Sequence, residues 1–341
     1  MLSDRTDSGG RPLREDHVLG VGGASTTLAQ LTLRRPVERA LDIGTGCGVQ
    51  ALHLSRHATR VTATDSVPRA LQLAATGFAL SGVDVELVEG DLVEPVARRE
   101  FDLVVCNPPF VVGPASRFAY RDSGRAGDAM SQAAVRGAAE VLAPGGVAQL
   151  LVNWLHIGGE DWRDRAASWV ADLGCDAWLI ERDVQEPVDY VSTWLADAGE
   201  RDESLAQEWL RWFDDAGVEG VGFGWVLLRR TAGAVRMVVE EATQPVDQPL
   251  GGALGGWLDR VDWLRDRDDD VLLDASLLAA PDLRRDVTSG VEPEGWAPLG
   301  QALRLDSGWR WTLECDDATA ALVAGCDGRT PLRTLVSVLA L

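Results

Sequence analysis

The chain has 341 residues, of which 46% are hydrophobic and 25% are charged. This balance indicates a globular protein with a sizeable core and excludes a disordered chain. The net charge is −21 and lysine is absent, which opposes non-specific binding to the phosphates of a nucleic acid. The sequence contains no run of ~18 apolar residues, and its polar start carries no apolar signal segment. We therefore predict neither a membrane span nor secretion.

The five cysteines are scattered and form no Cys-x-x-Cys pair. An odd number of isolated cysteines is typical of reduced thiols in a cytoplasmic protein and favours neither a disulfide framework nor a zinc site. The four histidines are equally dispersed. The prediction is a cytoplasmic protein without a metal cofactor.

The polar residues 1–16 predict a flexible tail. From residue 35 onward, short apolar runs alternate with helical patterns, which predicts a mostly parallel sheet covered on both faces. The last strand is expected to be a hairpin partner of its predecessor. The predicted strands are 39–43, 60–64, 83–88, 101–106, 147–152, 177–181 and 221–229, and the predicted helices are 49–57, 67–80, 127–142 and 161–173.

This alternation ends near residue 231, so the predicted domains are 17–230 and a small α+β domain over 231–341. Residues 318–341 place two apolar stretches around a short polar turn, which predicts helix–turn–helix geometry. The favoured use of this segment is structural packing. The alternative is a winged-helix module that recognises a protein or a nucleic acid.

A glycine-rich turn, DIGTGCG over residues 42–48, closes the first predicted strand and opens the first helix. Glycines let the backbone turn tightly and approach a ligand, and the helix start offers free N–H groups. Dinucleotide-binding enzymes use a similar turn, and a tight turn without a ligand is the simpler alternative.

Two carboxylates follow the next strands. Asp65 ends the second predicted strand and is placed to accept the ribose hydroxyls of an adenosine, whereas Asp91 follows the third and is placed to accept from an adenine amine. A single loop aspartate is more often a helix cap. The regular placement of the acids at successive strand ends favours a ligand site at the carboxyl edge of the sheet.

The fourth predicted strand ends in the tetrad NPPF over residues 107–110. The two prolines fix the backbone and remove two donors. The Asn107 side-chain oxygen and the Pro108 carbonyl are placed to accept both hydrogens of an NH2 group, and Phe110 offers a flat face to a planar base or amide. A rigid surface turn is the alternative.

With these motifs in this order, residues 36–230 resemble a class I S-adenosylmethionine-dependent methyltransferase of the Asn-Pro-Pro-Phe group. That group includes N6-adenine and N2-guanine methyltransferases of nucleic acids and glutamine methyltransferases of release factors. The resemblance implies a Rossmann-like seven-stranded α/β sheet whose final strand is antiparallel. It implies catalytic roles at the acceptor nitrogen for Asn107, Pro108, Pro109 and Phe110. The implied S-adenosyl-L-methionine contacts are Asp42, Gly44, Thr45, Gly46, Gly48, Asp65, Ser66, Asp91, Leu92 and Asn107.

Substrate contacts are sought beside the tetrad and in the insertion between the last two strands. Arg117, Arg121 and Arg125 recur every four residues, with Tyr120 between them, and predict an arginine face for phosphates. The alternative is a solvated loop in which Arg121 and Arg125 pair with Asp122 and Asp128. Tyr190, with Trp194, is a candidate for the substrate entrance, and core packing is its alternative.

The leading hypothesis is N-methylation of an exocyclic amine of an RNA or DNA base. The second is methylation of a glutamine amide in a protein such as a translation factor, which the acidic composition favours. A third is a scaffold protein that binds the cofactor without catalysis. A dinucleotide oxidoreductase is disfavoured by the tetrad.

Overall fold

The computed structural model describes residues 1–4, 16–109, 111–113, 125, 127–197, 199 and 202–339. These residues form two compact units, Met1–Thr243 and Gln244–Leu341. The predicted domain boundary at residue 230 is therefore too early by one strand. Of the predicted tail, residues 5–15 lie outside the described part, and Met1–Asp4 contact the first unit instead of forming a free end.

The first unit alternates strands and helices as the sequence predicts. Its strands are β1 (Val37–Ile43), β2 (Ala58–Asp65), β3 (Glu86–Glu89), β4 (Phe101–Cys106), β5 (Leu142–Ile157), β6 (Cys175–Gln185), β7 (Val218–Arg230) and β8 (Met237–Glu241). Its helices are α1 (Gly23–Leu31), α2 (Val49–Leu54), α3 (Pro68–Ser81), α4 (Ala129–Glu140), α5 (Trp162–Ser168), α6 (Pro187–Asp197) and α7 (Glu203–Asp215).

All eight strands form one sheet in the order β3-β2-β1-β4-β5-β7-β6-β8. Strand β7 runs antiparallel to both β5 and β6, and the other pairings are parallel. This confirms the predicted Rossmann-like sheet, in which the strand predicted over 221–229, observed as β7, is antiparallel to its neighbours. It also corrects the strand count, because β8 pairs with β6 as an eighth strand.

The centre of the sheet is packed around one buried tryptophan. The Trp154 indole donates to the Glu181 carboxylate over 2.6 Å and stacks on Trp162 at 5.2 Å between ring centroids. On β7, a Cβ at Gly222 or Gly224 would overlap the Trp154 ring. Glycine at these two positions therefore leaves room for the Trp154 ring where it lies across β7.

The elements of the second unit are α8 (Gly251–Arg265), α9 (Asp269–Asp274), β9 (Leu283–Glu292), β10 (Gly295–Leu305), β11 (Thr312–Glu314), α10 (Asp317–Ala324) and α11 (Leu332–Leu339). Its three strands form a small antiparallel sheet in the order β11-β10-β9. Helices α10 and α11 lie where the sequence predicts a helix–turn–helix, and the use of that segment stays a prediction. None of the helices in the described part of the chain has the length and apolar character needed to cross a bilayer.

Candidate active site

A cavity of about 540 Å³ opens at the carboxyl edge of the sheet in the first unit, a size that suits a small-molecule ligand. The structure brings most of the predicted site residues together in its wall. These are Asp42, Gly44, Thr45, Gly46, Asp65, Ser66, Asp91, Leu92, Asn107, Pro108 and Pro109.

The glycine-rich turn forms one side of this cavity. Gly44, Gly46 and Gly48 have φ of +68°, +54° and +87°, a left-handed backbone that favours glycine. A Cβ at Gly44 or Gly46 would meet no described atom within 4 Å, so the turn borders open space on that side. Gly48 differs from its prediction and does not line the cavity, because a Cβ there would lie 2.6 Å from the Phe78 ring.

The Asp42 carboxylate holds this turn in place from inside the protein. It is 1% exposed, and its Oδ2 accepts from the Thr45 hydroxyl at 2.6 Å and from the Ala51 N–H at 3.0 Å. Burial raises the pKa of Asp42 to about 7. Asp42 thus ties the start of α2 to the end of β1.

Asp65 lies at the end of β2 and is oriented by main-chain donors. Its Oδ2 accepts from the Gly46 N–H at 2.8 Å and its Oδ1 from the Val67 N–H at 2.9 Å. Burial raises the pKa of Asp65 despite these bonds. Each carboxylate oxygen has further acceptor capacity, so the group can still receive two ligand hydroxyls.

Asp91 lies at the rim of the cavity and pairs with Arg125, at 2.9 Å between Nη2 and Oδ2. Arg125 was predicted to meet phosphate or to pair with Asp128, but Asp128 is held by Arg165 instead. Both members of the Asp91–Arg125 pair are about half exposed, so the pair contributes little stability. Phe110, Arg117, Tyr120 and Arg121 lie outside the described residues.

Asn107 follows β4, whose last residue, Cys106, is paired with Ile43 on one side and Leu150 on the other. It therefore leaves the sheet near the middle of its carboxyl edge. The Asn107 Oδ1 atom is buried and has no hydrogen-bond partner among the described residues. Leaving a buried acceptor unpaired costs ~1–3 kcal/mol, which indicates that a ligand donor completes this site.

Tyr190 does not contact the cavity, which corrects its prediction as a substrate-binding residue. Its side chain is fully buried, and its hydroxyl accepts from the Val112 N–H at 2.9 Å. Trp194 and Asp197, one and two turns farther along α6, line the cavity instead. Sequence reasoning missed Asp197, although the spacing of four and seven residues from Tyr190 places all three on one side of a helix.

The first residues of the chain support the opposite wall, which includes His17 and Val18. The Asp4 carboxylate accepts from the Val18 N–H at 3.0 Å and pairs with the Arg69 guanidinium. The hydrogen bond from Arg69 lowers the pKa of Asp4. This anchor joins the segment before α1 to helix α3.

The carboxyl groups of the cavity wall make it acidic, although burial raises the pKa of Asp42 to about 7 and so keeps part of that group uncharged near neutral pH. Four aspartates line it, whereas no arginine or lysine is found among its described lining residues. Within the described ranges there is also no group of three or more His, Cys, Asp or Glu side chains that could hold a metal ion. The cavity is therefore complementary to a cation rather than to a phosphate.

Two family models match the chain, one within the first unit and one within the second. Residues 20–162 match the family model described as methyltransferase small domain, and residues 255–341 match one described as Domain of unknown function (DUF7782). The chain is 36% identical over 173 residues to a release factor glutamine methyltransferase of Deinococcus radiodurans, covering 46% of this chain and 61% of that protein.

Two further similarities are more distant. A ribosomal RNA small subunit methyltransferase C of Alcanivorax borkumensis is 30% identical over 132 residues, covering 39% of this chain and 37% of that protein. A crystallised methyltransferase from Pyrococcus furiosus is 19% identical with a TM-score of 0.40, covering 63% of this chain and 85% of that one. The chain spans less than two thirds of the length of both curated relatives.

Proposed function

We infer that the chain, whose residues 20–162 match the family model described as methyltransferase small domain, is an S-adenosylmethionine-dependent N-methyltransferase. We propose that its acceptor is the side-chain amide of a glutamine in a protein. The buried Asn107 Oδ1 at the cavity wall carries this proposal, because it has no partner among the described residues and so offers an open acceptor to a donor such as the N–H of a side-chain amide.

The residues of the cavity fit S-adenosylmethionine. The space beside Gly44 and Gly46 would hold its methionine part, and Asp65 has acceptor capacity left for its ribose hydroxyls. Asp91 would lie at its adenine. The acidic wall complements the positive charge of a sulfonium. When bound, this group supplies a methyl carbon that is open to attack by a nucleophile.

The chain's own contribution is to hold the attacking nitrogen. Asn107 Oδ1 and the Pro108 carbonyl would accept one N–H bond each from the substrate NH2 group. A new N–C bond forms as the S–C bond breaks, sulfur keeps the electron pair of that bond, and one N–H proton leaves to water. Such positioning is worth ~7–11 kcal/mol in favourable cases, and two carbonyl acceptors stabilise the positive charge that grows on nitrogen.

The charge of the wall favours an uncharged amide over a nucleic-acid base. The phosphates beside a base would approach a wall that includes Asp65 and Asp197 and, among its described residues, no arginine or lysine, and the chain as a whole carries a net charge of −21. The predicted phosphate contact Arg125 is paired with Asp91. The similarity to a release factor glutamine methyltransferase supports the same choice.

The second candidate is an exocyclic amine of an RNA base. It is supported by the similarity to a ribosomal RNA methyltransferase, and the two acceptors would hold an aromatic NH2 group in the same way. The sequence-based hypothesis placed this reaction first. The acidic cavity wall instead favours the glutamine amide over the RNA base.

The test is transfer of tritium from labelled S-adenosylmethionine into an extract of cells that lack this chain. We expect the label in protein, released by protease and resistant to nuclease, and recovered as methylated glutamine after complete proteolysis. Asn107→Ala serves as the catalytic control. Label that is lost on nuclease treatment would favour the RNA base, and failure to bind S-adenosylmethionine would overturn both candidates.

A further inference from the structure

The insertion between β6 and β7 forms a small core of its own. Helices α6 and α7 bury aromatic and aliphatic side chains there, and two residues that follow the Asn-Pro-Pro segment complete the cluster. Val111 is 7% exposed and Val112 1% exposed. The other buried members are Leu155, Tyr190, Val191, Leu195, Trp209, Phe213, Val218 and Val221.

Both main-chain polar groups of Val112 are bonded by side chains of this insertion. The Val112 N–H donates to the Tyr190 hydroxyl of α6 at 2.9 Å, and the Val112 carbonyl accepts from the Trp209 indole N–H of α7 at 2.9 Å. The two rings lie edge to face, with centroids 6.2 Å apart. We call Tyr190 and Trp209 the aromatic clamp.

The residue after Val112 also depends on this contact. A Cβ at Gly113 would lie 2.8 Å from the Trp209 ring, so only glycine lets the backbone pass this close. The clamp therefore holds the main chain itself rather than one exposed side chain.

Val112 is three residues beyond Pro109, a distance of at most ~10 Å along the chain. At the other end, Cys106 is fixed in the sheet between Ile43 and Leu150. Asn107, Pro108 and Pro109, which we call the acceptor segment, thus lie between two fixed points, Cys106 and Val112, and the two prolines restrict the φ angles. Val112 and Asn107 are five residues apart, so the position of Val112 limits where Asn107 can lie.

We propose that Tyr190 and Trp209 are positioning residues, which set the orientation of the Asn107 and Pro108 acceptors through Val112. This proposal rests on the proposed function for its kinetic consequence but not for its structural one. Helix α6 would then have two roles. Its Tyr190 would position the acceptor segment through Val112, whereas its Trp194 and Asp197 line the cavity.

The experiment uses the fact that Asn107 and Asn153 are the only asparagines in the chain. Selective 15N labelling of asparagine gives two side-chain NH2 pairs in an NMR spectrum, one at the acceptor site and one in β5 as an internal reference. Spectra are recorded for wild type, Tyr190→Phe and Trp209→Phe. Trp212→Phe is the matched control, since Trp212 packs against the same cluster without bonding to Val112.

We expect the Asn107 pair to shift or broaden in both clamp variants while the Asn153 pair and the control spectrum stay unchanged. Single-turnover methyl transfer should be 5- to 20-fold slower in Tyr190→Phe, with the cofactor dissociation constant within twofold of wild type. A role in folding alone would lower the melting temperature without moving the Asn107 signal or the transfer rate.

An unchanged Asn107 signal in both clamp variants would overturn the proposal, as would a shifted signal with a wild-type transfer rate. If wild type methylates no glutamine, the proposed function fails by itself. The clamp is then supported or overturned by the Asn107 signal in the same four samples.

Discussion

The two halves of the cavity are held in different ways. In the cofactor half, residues 42–67, carboxylates receive hydrogen bonds from nearby main chain and leave no buried oxygen of Asp42 or Asp65 without a partner. In the acceptor half, residues 107–109 and 111–112, distant side chains hold the main chain at Val112, and the buried Asn107 Oδ1 has no hydrogen-bond partner among the described residues. The buried carboxylates of the cofactor half are thus held by the protein itself, whereas the buried oxygen of Asn107 is left open to a donor from a ligand.

Sequence separation follows the same division. Asp42 and Thr45 are three residues apart and Gly46 and Asp65 nineteen, whereas Tyr190 and Trp209 reach Val112 from 78 and 97 residues away. Local hydrogen bonds are encoded in short motifs. A long-range clamp depends on how an insertion folds back onto the sheet.

The strongest test of this difference between the two halves is to remove the side-chain acceptor of Asn107. Asn107→Ala should slow methyl transfer by about 10²- to 10³-fold, as loss of one preorganised group at a developing charge does. The cofactor dissociation constant should change less than about threefold, since the Asp65 side of the cavity is untouched. Single-turnover transfer and calorimetry measure the two effects, and wild-type turnover in this variant would contradict the mechanism.

A second prediction concerns the buried carboxylate of the cofactor half. The folded Asp42 carboxyl keeps its proton up to a pKa of about 7, whereas the unfolded one loses it near 3.8. The stability that this group contributes is complete below pH 3.8 and is lost as pH rises through about 7. Relative to Asp42→Asn, wild type should therefore lose about 3 kcal/mol of unfolding free energy between pH 5 and pH 8.

Urea denaturation of both proteins across this pH range gives the difference directly. Asp172→Asn is a suitable control, because Arg136 lowers the pKa of this exposed carboxylate and it should show no decline with rising pH. A flat difference between wild type and Asp42→Asn from pH 5 to pH 8 would show that Asp42 is not a protonated group in the folded protein.

A third prediction ranks the two acids at the ends of β2 and β3. Asp65→Asn should weaken cofactor binding by about 10- to 100-fold, because it removes a charge that is oriented by two main-chain donors. Asp91→Asn should weaken cofactor binding by no more than about fivefold, since Asp91 is half exposed and paired with Arg125. Calorimetric titration compares them, and a larger effect at Asp91 would reverse the ranking.

The smallest expected effect is at the N-terminal anchor. Asp4→Asn should weaken cofactor binding by about three- to tenfold. The Val18 N–H at the cavity wall loses a charged acceptor, and the Arg69 guanidinium loses its ion-pair partner. Glu38→Gln removes an exposed carboxylate from its pair with Arg60 and should leave binding unchanged. Equal affinities of Asp4→Asn and wild type would show that this wall needs no anchor.

Much of the fold was predictable from the sequence because the strands and helices have clear apolar periods and end at glycines and prolines. Strand β4 was predicted with its observed bounds. Strand β8 was missed, since five residues after a glycine-containing turn carry too weak a signal by themselves. Its place beside β6 depends on the sheet edge that β6 offers.

The candidate site shows the same limit. Asp65 is the last residue of a strand and Asn107 follows one, and a strand end predicts where a side chain lies without knowledge of the rest of the fold. Tyr190 was recognised as important but for the wrong contact, because its burial is decided by α7 and by Val112. No short motif encodes that arrangement.

The close passage of β7 over Trp154 has a consequence for how this protein tolerates change. Any side chain at Gly222 or Gly224 would overlap the indole, so a library randomised at these two codons should return folded protein almost solely with the parental residue. The loss of stability would arise from overlap at Trp154 rather than at the reacting atoms. Loss of function in such clones would accordingly report failed assembly of the sheet rather than damage to chemistry.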